Sequence, residues 1–301
     1  EAAKTKVDEE ATKAKAAISQ ASTNNDVDQA KTSSVTTISS IQPDIVKKAE
    51  AKKAIEDEVI AKKAEIDQNQ EATKEEKDAA KAKVDEEATK AKQAIDNATT
   101  NESVDQAKTQ GVTTITSIQP ETNKKAEAKR DIDEVAKAKK QEIDSNINAT
   151  KEEKDVAKSK VDEEVTKAKN VIDQATTNDQ VDQGNNNGHT AITAIQPETV
   201  KKPEAKQAID EVAKAKKDLI DQTPNATKEE KDAAKAKVDE EVTKAKKTID
   251  QASTNSDVDQ VKDKGTNGIN SVVVEVLKKD EAKKAIDDLV KAKKSAIDSN
   301  H

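Results

Sequence analysis

The stretch Ala72-Thr73-Lys74-Glu75-Glu76-Lys77-Asp78-Ala79-Ala80-Lys81-Ala82-Lys83-Val84-Asp85-Glu86-Glu87-Ala88-Thr89-Lys90-Ala91-Lys92-Gln93-Ala94-Ile95-Asp96 returns at residues 149–173 with 20 of 25 positions identical. It opens with Thr73 and, three residues on, Glu76. This is the spacing at which a hydroxyl and a carboxylate cap each other's backbone at a helix start. The same box recurs at Thr150/Glu153 and Thr227/Glu230. Behind it Ala80, Val84, Ala88, Ala91 and Ile95 follow at steps of four, four, three and four. That is one apolar face of a helix of about 24 residues, roughly 35 Å long.

Outward from this stretch, the chain keeps a strict period of 77 residues. The Val of Lys-Val-Asp-Glu-Glu stands at Val7, Val84, Val161 and Val238, and Ile18, Ile95, Ile172 and Ile249 keep the same step. Cut at the capping box, the chain reads as repeats 1–71, 72–148, 149–225 and 226–301, the first N-terminally truncated because Glu1 aligns with Asp78. Each repeat holds three helical patterns. After the first, Thr99-Thr100-Asn101 breaks the helix and caps a second, with Val104, Ala107, Gly111, Ile115 and Ile118 on one face. The second ends at Gln119-Pro120, since the residue before proline is pushed out of the helical region, and Pro120 can open the third helix in its first turn. The third carries Ala128, Ile132, Val135, Ala136 and Ile143.

The expected fold class is all-α: a tandem array of four three-helix bundles on the 77-residue repeat, strung as an elongated rod of about 150 Å. Short links at residues 67–71, 144–148 and 221–225 are expected to join the bundles. A continuous helix through the first two links is the alternative, which Pro224 opposes at the third. The slot Ser34, Gly111, Gly188, Gly265 is small in every copy and predicts a tight helix crossing, with a mobile kink as the alternative.

Composition narrows the functions. There is no Phe, Tyr, Trp, Met or Cys, and Val, Ile and Leu (25, 22 and 3 residues) supply all the large apolar side chains. Ala, Val and Ile must then fill thin cores. Lys plus Arg total 53 against 61 Asp plus Glu, interleaved along the chain, so no basic footprint for nucleic acid or anionic lipid is present. Arg130 is the single arginine, and without cysteine there are no disulfides, zinc ribbons or thiol chemistry. No apolar run approaches the roughly 18 residues of a membrane span. A signal peptide and a wall-sorting segment are not found in the sequence, so if the parent protein is exported this is an internal piece of it.

Candidate sites each meet a plainer reading. His189 stands among Asn186, Asn187 and Gly188 with no second ligand near it, and His301 closes the chain. Asp85, Glu86 and Glu87 have no apolar surroundings to shift a pKa, and read as a solvated helix face. Asn97, Asn101, Asn148 and Asn225 match glycosylation sequons but fall at expected helix caps. The Thr/Asn turns and Asn185-Asn186-Asn187-Gly188 are candidate partner contacts, although the aromatic and Arg anchors of strong interfaces are lacking. Calcium loops and phosphate-cradling Gly loops are missing too. No catalytic residue, cofactor or metal is expected, and the chain is not expected to be an enzyme.

The order Ala-Thr-Lys-Glu-Glu-Lys-Asp, Lys-Val-Asp-Glu-Glu, Val-Asp-Gln-Ala-Lys, Ile-Gln-Pro and Lys-Ala-Glu-Ala-Lys resembles the tandem repeats of staphylococcal wall-anchored surface proteins. These are the domain-of-unknown-function repeats of surface protein C, the methicillin-resistance-associated surface protein and the giant matrix-binding protein. The resemblance covers essentially the whole chain and departs from the pattern where Val273-Val274 replaces Gln-Pro. It implies an extracellular, wall-anchored parent in which such repeats form a stalk beneath an adhesive region. The expected role is therefore a non-catalytic spacer. The alternative is a weak multivalent module that binds host matrix or serum proteins, or copies of itself in cell aggregation and biofilm. Expected partners are neighbouring repeats, with no nucleic acid and no membrane insertion, and the fragment itself is expected to be monomeric.

Overall fold

The computed structural model describes residues 1–43 and 46–300; His301 lies outside the described residues. Among the described residues there are twelve helices and no strand. They are α1 (Ala2–Gln20), α2 (Asn24–Ser39), α3 (Val46–Asp67), α4 (Lys74–Asn97), α5 (Asn101–Thr116), α6 (Asn123–Asp144), α7 (Lys151–Gln174), α8 (Asn178–Thr193), α9 (Lys201–Asp221), α10 (Lys228–Gln251), α11 (Asn255–Asn270) and α12 (Lys278–Asp298). They fall into two compact units: Glu1–Ala126 with Ala175–Asn178, and Glu127–Gln174 with Asp179 onward.

The helices begin where the capping residues stand. Thr73 accepts a hydrogen bond from the Glu76 amide at 3.3 Å while Glu76 accepts from the Thr73 amide at 3.0 Å. Thr227 and Glu230 repeat the exchange. In α5 the box is built with Ser103 in place of a glutamate: its hydroxyl accepts from the Thr100 amide at 3.0 Å. The apolar face of α4 is buried over Ala80, Val84, Ala88, Ala91 and Ile95, the five positions read from the period.

The packing answers which helices share a core. In the first unit Ala51, Ile55 and Ile66 of α3 lie in one cluster with Val84 and Ile95 of α4 and Val104 and Ile115 of α5. In the second unit Ile209 and Ile220 of α9 join Val238 and Ile249 of α10 and Val258 and Ile269 of α11. The same arrangement holds for α6, α7 and α8, where Lys140 pairs with Asp162 and Lys139 reaches the Thr193 carbonyl at 3.0 Å. The array of three-helix bundles is therefore present, but a bundle is made of the third helix of one repeat and the first two of the next. The links 67–71, 144–148 and 221–225, expected to lie between bundles, are hairpin turns inside them. A continuous helix is absent from all three, because α3, α6 and α9 end at Asp67, Asp144 and Asp221. What joins one bundle to the next is the Ile-Gln-Pro stretch. Pro120 and Pro197 are buried there, ahead of helices that start at Asn123 and Lys201, so Pro120 does not occupy the first turn. In the last copy Val274 takes the proline's position, half-buried against the α9–α11 core, and the helices on either side keep the same relative ends.

Two features set the spacing of the helices. At the small slot, a Cβ added to Gly188 would lie 2.6 Å from Ala168 Cβ and 2.8 Å from Ile132 Cδ1; Gly111 and Gly265 meet Ala91/Ile55 and Ala245/Ile209 in the same way. Three helices touch at that glycine, which makes it a tight crossing and not a kink. At the other end of the third helix, the ammonium of buried Lys62 donates to the last carbonyl of α5, Thr116, at 2.8 Å. Lys139 and Lys216 do the same at Thr193 and Asn270. A cation at a helix C-terminus meets both the free carbonyls and the negative end of the dipole.

Candidate functional site

The charged group with the most structural partners is the Glu-Glu pair that follows each capping threonine. In the second unit, Glu153 uses one carboxylate oxygen to accept the Thr150 amide at 3.0 Å, closing the start of α7. Its other oxygen accepts the amides of Val200 at 2.8 Å and Lys201 at 3.3 Å, at the start of α9. Val200 stands at the cap position of α9 and makes no side-chain cap of its own, so the cap comes from the neighbouring bundle. Glu152 accepts the Asn255 amide at 2.9 Å at the start of α11, and the Lys151 amide donates to Ser253 O at 2.8 Å. Three helix N-termini thus converge on two adjacent carboxylates, where unpaired amides and the positive dipole ends favour negative charge. Lys202, buried beside them, donates to Ile147 O at 2.9 Å and to Asp250 O at 2.8 Å, tying the α6–α7 turn to the end of α10. Burial lowers the pKa of Lys202, while Asp250 opposes the shift.

The first unit carries the same constellation. Glu76 accepts from Asn123 and Lys124, Glu75 from Asn178, and the Lys74 amide donates to Thr176 O. In the last copy Glu230 accepts the amides of Leu277 at 2.9 Å and Lys278 at 2.7 Å, capping α12, whose own cap residue Leu277 contributes no side-chain bond.

At Glu230, Glu153 and Glu75 these amides favour the ionised carboxylate. The Lys278, Thr227 and Leu277 amides together lower Glu230 to about 2. For Glu153 burial pushes upward, and the Thr150, Val200 and Lys201 amides overcome it, so the net shift is downward. The Asn178 amide lowers Glu75. A carboxylate whose folded pKa lies below its unfolded value, near 4.3, stabilises fully above that value and loses the effect as pH falls toward the folded pKa. The joints are expected to loosen in acid, between about pH 4 and pH 2 for Glu230. Glu153→Ala should reproduce this at neutral pH: the Val200 and Lys201 amides would exchange hydrogen faster while the α9 interior stays protected. Unchanged exchange at those two amides would remove the joint from this account.

The candidates read from the sequence fall elsewhere. His189 is exposed on α8, where its carbonyl accepts from Thr193 Oγ1 at 2.9 Å. Among the described residues no group of three or more His, Cys, Asp or Glu is placed to hold a metal ion. Asp85 pairs with Lys63 at 2.6 Å, and Glu86 and Glu87 both pair with Lys90. Capping at the sequons is carried by hydroxyls and not by the Asn: Thr150 and Thr227 cap from the third sequon position behind Asn148 and Asn225, and Ser103 does so behind Asn101. Asn97 is the last residue of α4, and Asn225 takes a left-handed backbone, φ 66°. Asn185-Asn186-Asn187-Gly188 lies in the middle of α8. No helix among the described residues is long and apolar enough to cross a membrane.

The protein-family model DUF1542, a Domain of Unknown Function, matches residues 1–46, 47–123, 124–200 and 201–277. The chain belongs to this family. The DUF1542 matches begin beside the starts of α3, α6 and α9, in the phase of the packing and not of the capping box. Among its relatives, the Extracellular matrix-binding protein EbhA of Staphylococcus aureus (strain Mu3 / ATCC 700698) is 31% identical over 285 residues, 94% of this chain and 4% of that protein. The Extracellular matrix-binding protein ebh of S. aureus (strain JH9) is 31% identical over 285 residues, with 3% of its length covered. This chain therefore spans a small fraction of those relatives. The crystal structure of EbhA (756-1003 domain) from S. aureus aligns at 21% identity over 88% of this chain and 90% of that one, with a TM-score of 0.23.

Proposed function

We propose that this DUF1542 chain is a non-catalytic spacer within a bacterial surface protein, extracellular and wall-anchored through its parent, that holds a binding region away from the cell. The observation that carries this reading is the joint. In the second unit Glu152 and Glu153 tie the starts of helices in successive bundles, so these hydrogen bonds serve to fix one bundle to the next. Asp85, Glu86 and Glu87 are paired with Lys63 and Lys90 on solvated helix faces. The relatives' description as extracellular matrix-binding proteins supports a surface setting. In this reading the bundles string into a rod, and small-angle scattering is expected to give a maximum dimension near 150 Å, from about 1.5 Å per helical residue over successive bundles. A particle of less than half that length would overturn the spacer.

A second reading rests on the same relatives' name as matrix-binding proteins: the repeats themselves contact matrix proteins weakly, with avidity from repetition. Pull-down of purified matrix and serum proteins by the immobilised chain tests it. Silence at micromolar concentration would leave the spacer alone.

A further inference from the structure

The second helices of the three complete bundles, α5, α8 and α11, differ in what they bring to the core. At the positions of Ala107 and Val112, which pack against the core from α5, α8 has Gly184 and the exposed His189. The helix α11 keeps one of the two contacts, through Val261. Gly184 and Gly188 stand one turn apart, with Asn185, Asn186 and Asn187 between them. Glycine gives up the most backbone freedom on entering a helix, and asparagine competes for the backbone with its own side chain. This turn therefore has little helix-forming tendency of its own. Asn185 adds a further cost: its Oδ1 is buried with no hydrogen-bond partner, and its amide reaches Asp131 Oδ2 only at 3.4 Å. At that place α5 and α11 carry Lys108 and Lys262. Val171 of α7 leans toward Gly184, its Cγ1 3.0 Å from a Cβ built there, yet stays 52% exposed.

The partners of α8 are not weakened in the same way. Ile132 and Ile143 of α6 and Val161 and Ile172 of α7 are buried like their counterparts in α3 and α4, and Val165 is half-buried where α4 has Ala88. Both ends of α8 are tied. The Asn178 amide donates to Glu75 at 2.9 Å, and the Thr193 carbonyl accepts from Lys139 at 3.0 Å. The deficit sits between those ties.

We propose that α8 is a releasable helix, which lets go of α6 and α7 while those two and the flanking bundles stay folded. Its mechanical role rests on the spacer reading: the 16 residues of α8 span about 24 Å as a helix and about 55 Å drawn out, so a pull along the chain takes length from here first.

The test is native-state hydrogen exchange of the 301-residue chain at neutral pH and low urea. Rates corrected for local sequence are compared at equivalent positions: residues 185–192 of α8, 108–115 of α5 and 262–269 of α11. The α8 segment is expected to exchange at least about tenfold faster than the other two, and faster than α6 and α7. Val171→Ala, Gly184→Ala, Asn185→Lys and His189→Val together give α7 and α8 the residues of α4 and α5 at these places. The combined variant should bring the α8 rate down to that of α5 and leave α3, α4 and α5 unchanged. Equal protection of the three segments overturns the proposal. So does exchange of α6 and α7 in step with α8, which would make the whole bundle the opening unit, and so does a combined variant whose α8 rate is unchanged. These rates do not depend on particle length. Equal protection in a long particle removes the releasable helix alone, whereas fast exchange of α8 in a short particle removes the spacer and with it only the mechanical role.

Discussion

A fragment of residues 46–119 unfolds as one cooperative helical domain, whereas residues 72–148, a slightly longer stretch of chain cut at the capping box, show no cooperative transition: this is the expected outcome of thermal and urea melts followed by circular dichroism. The first fragment holds the whole α3–α4–α5 core. The second keeps α4 and α5 but exchanges α3 for α6. That helix cannot serve as a substitute. In the bundle α3 runs antiparallel to α4 and parallel to α5, so to take its place α6 would have to restart at the far end of α5. A path of about 24 Å back along α5, at 1.5 Å per residue, exceeds the reach of six linker residues, about 20 Å. Without the third helix, Val84, Ile95, Val104 and Ile115 are left as uncovered as their counterparts in α1 and α2. The difference in stability is on the order of 5 kcal/mol, the scale of a small domain's whole stability. Cooperative melting of 72–148 and not of 46–119 would show that α6, and not α3, completes the bundle of α4 and α5.

Gly188→Val should be strongly destabilising although it adds only apolar atoms. The first atom added there falls 2.6 Å from Ala168 Cβ, against an ordinary carbon–carbon contact near 3.5–4.0 Å. That neighbour is anchored to the α7 backbone and cannot rotate away, so the helices must separate. Overpacking of this kind costs about 1–3 kcal/mol, and valine's better helix propensity recovers only a few tenths. The substitution Asn187→Val, one residue earlier and exposed, should stay within about 0.5 kcal/mol. Combining Gly188→Val with Ala168→Gly removes the nearest obstacle and should recover part of the loss, a coupling that urea midpoints can resolve. Equal effects of the Gly188 and Asn187 substitutions would contradict a three-helix contact at the slot.

Local features of the fold were legible in the sequence, and the phase of the packing was not. Thr73 with Glu76 and the break at Thr99-Thr100 act within one or two turns, and the five apolar positions of α4 and the small slot show in the spacing along single helices, where spacing alone carries the meaning. A period has no origin of its own, however. Any cut through 77 residues leaves the same list of helices, and choosing α3 and not α6 as the partner of α4 requires the direction of the chain after Gln119-Pro120. The joint was hidden for the same reason. The inward oxygen of Glu153 belongs to a motif readable from Thr150, but its outward oxygen serves amides 47 and 48 residues later, and Glu152 serves one 103 residues later. The nearest sign in the sequence was the first glutamate of the pair. A capping box needs only the second, and Glu152 had no partner within its own helix start. Ser103 in the α5 box escaped notice because the expected residue there is glutamate or glutamine.

The offset between period and bundle also bears on how such a chain changes length. Every helix meets partners defined only by their distance along the chain, and each joint is rebuilt from the same distances. If one whole period is excised or duplicated, wherever the breakpoints fall, each remaining helix finds an equivalent neighbour on either side, and the Glu-Glu pairs again meet the starts they cap. Recombination between copies need not respect the edges of a folded unit. Array length is then a quantity that heredity can adjust in steps of one period without passing through a misfolded intermediate.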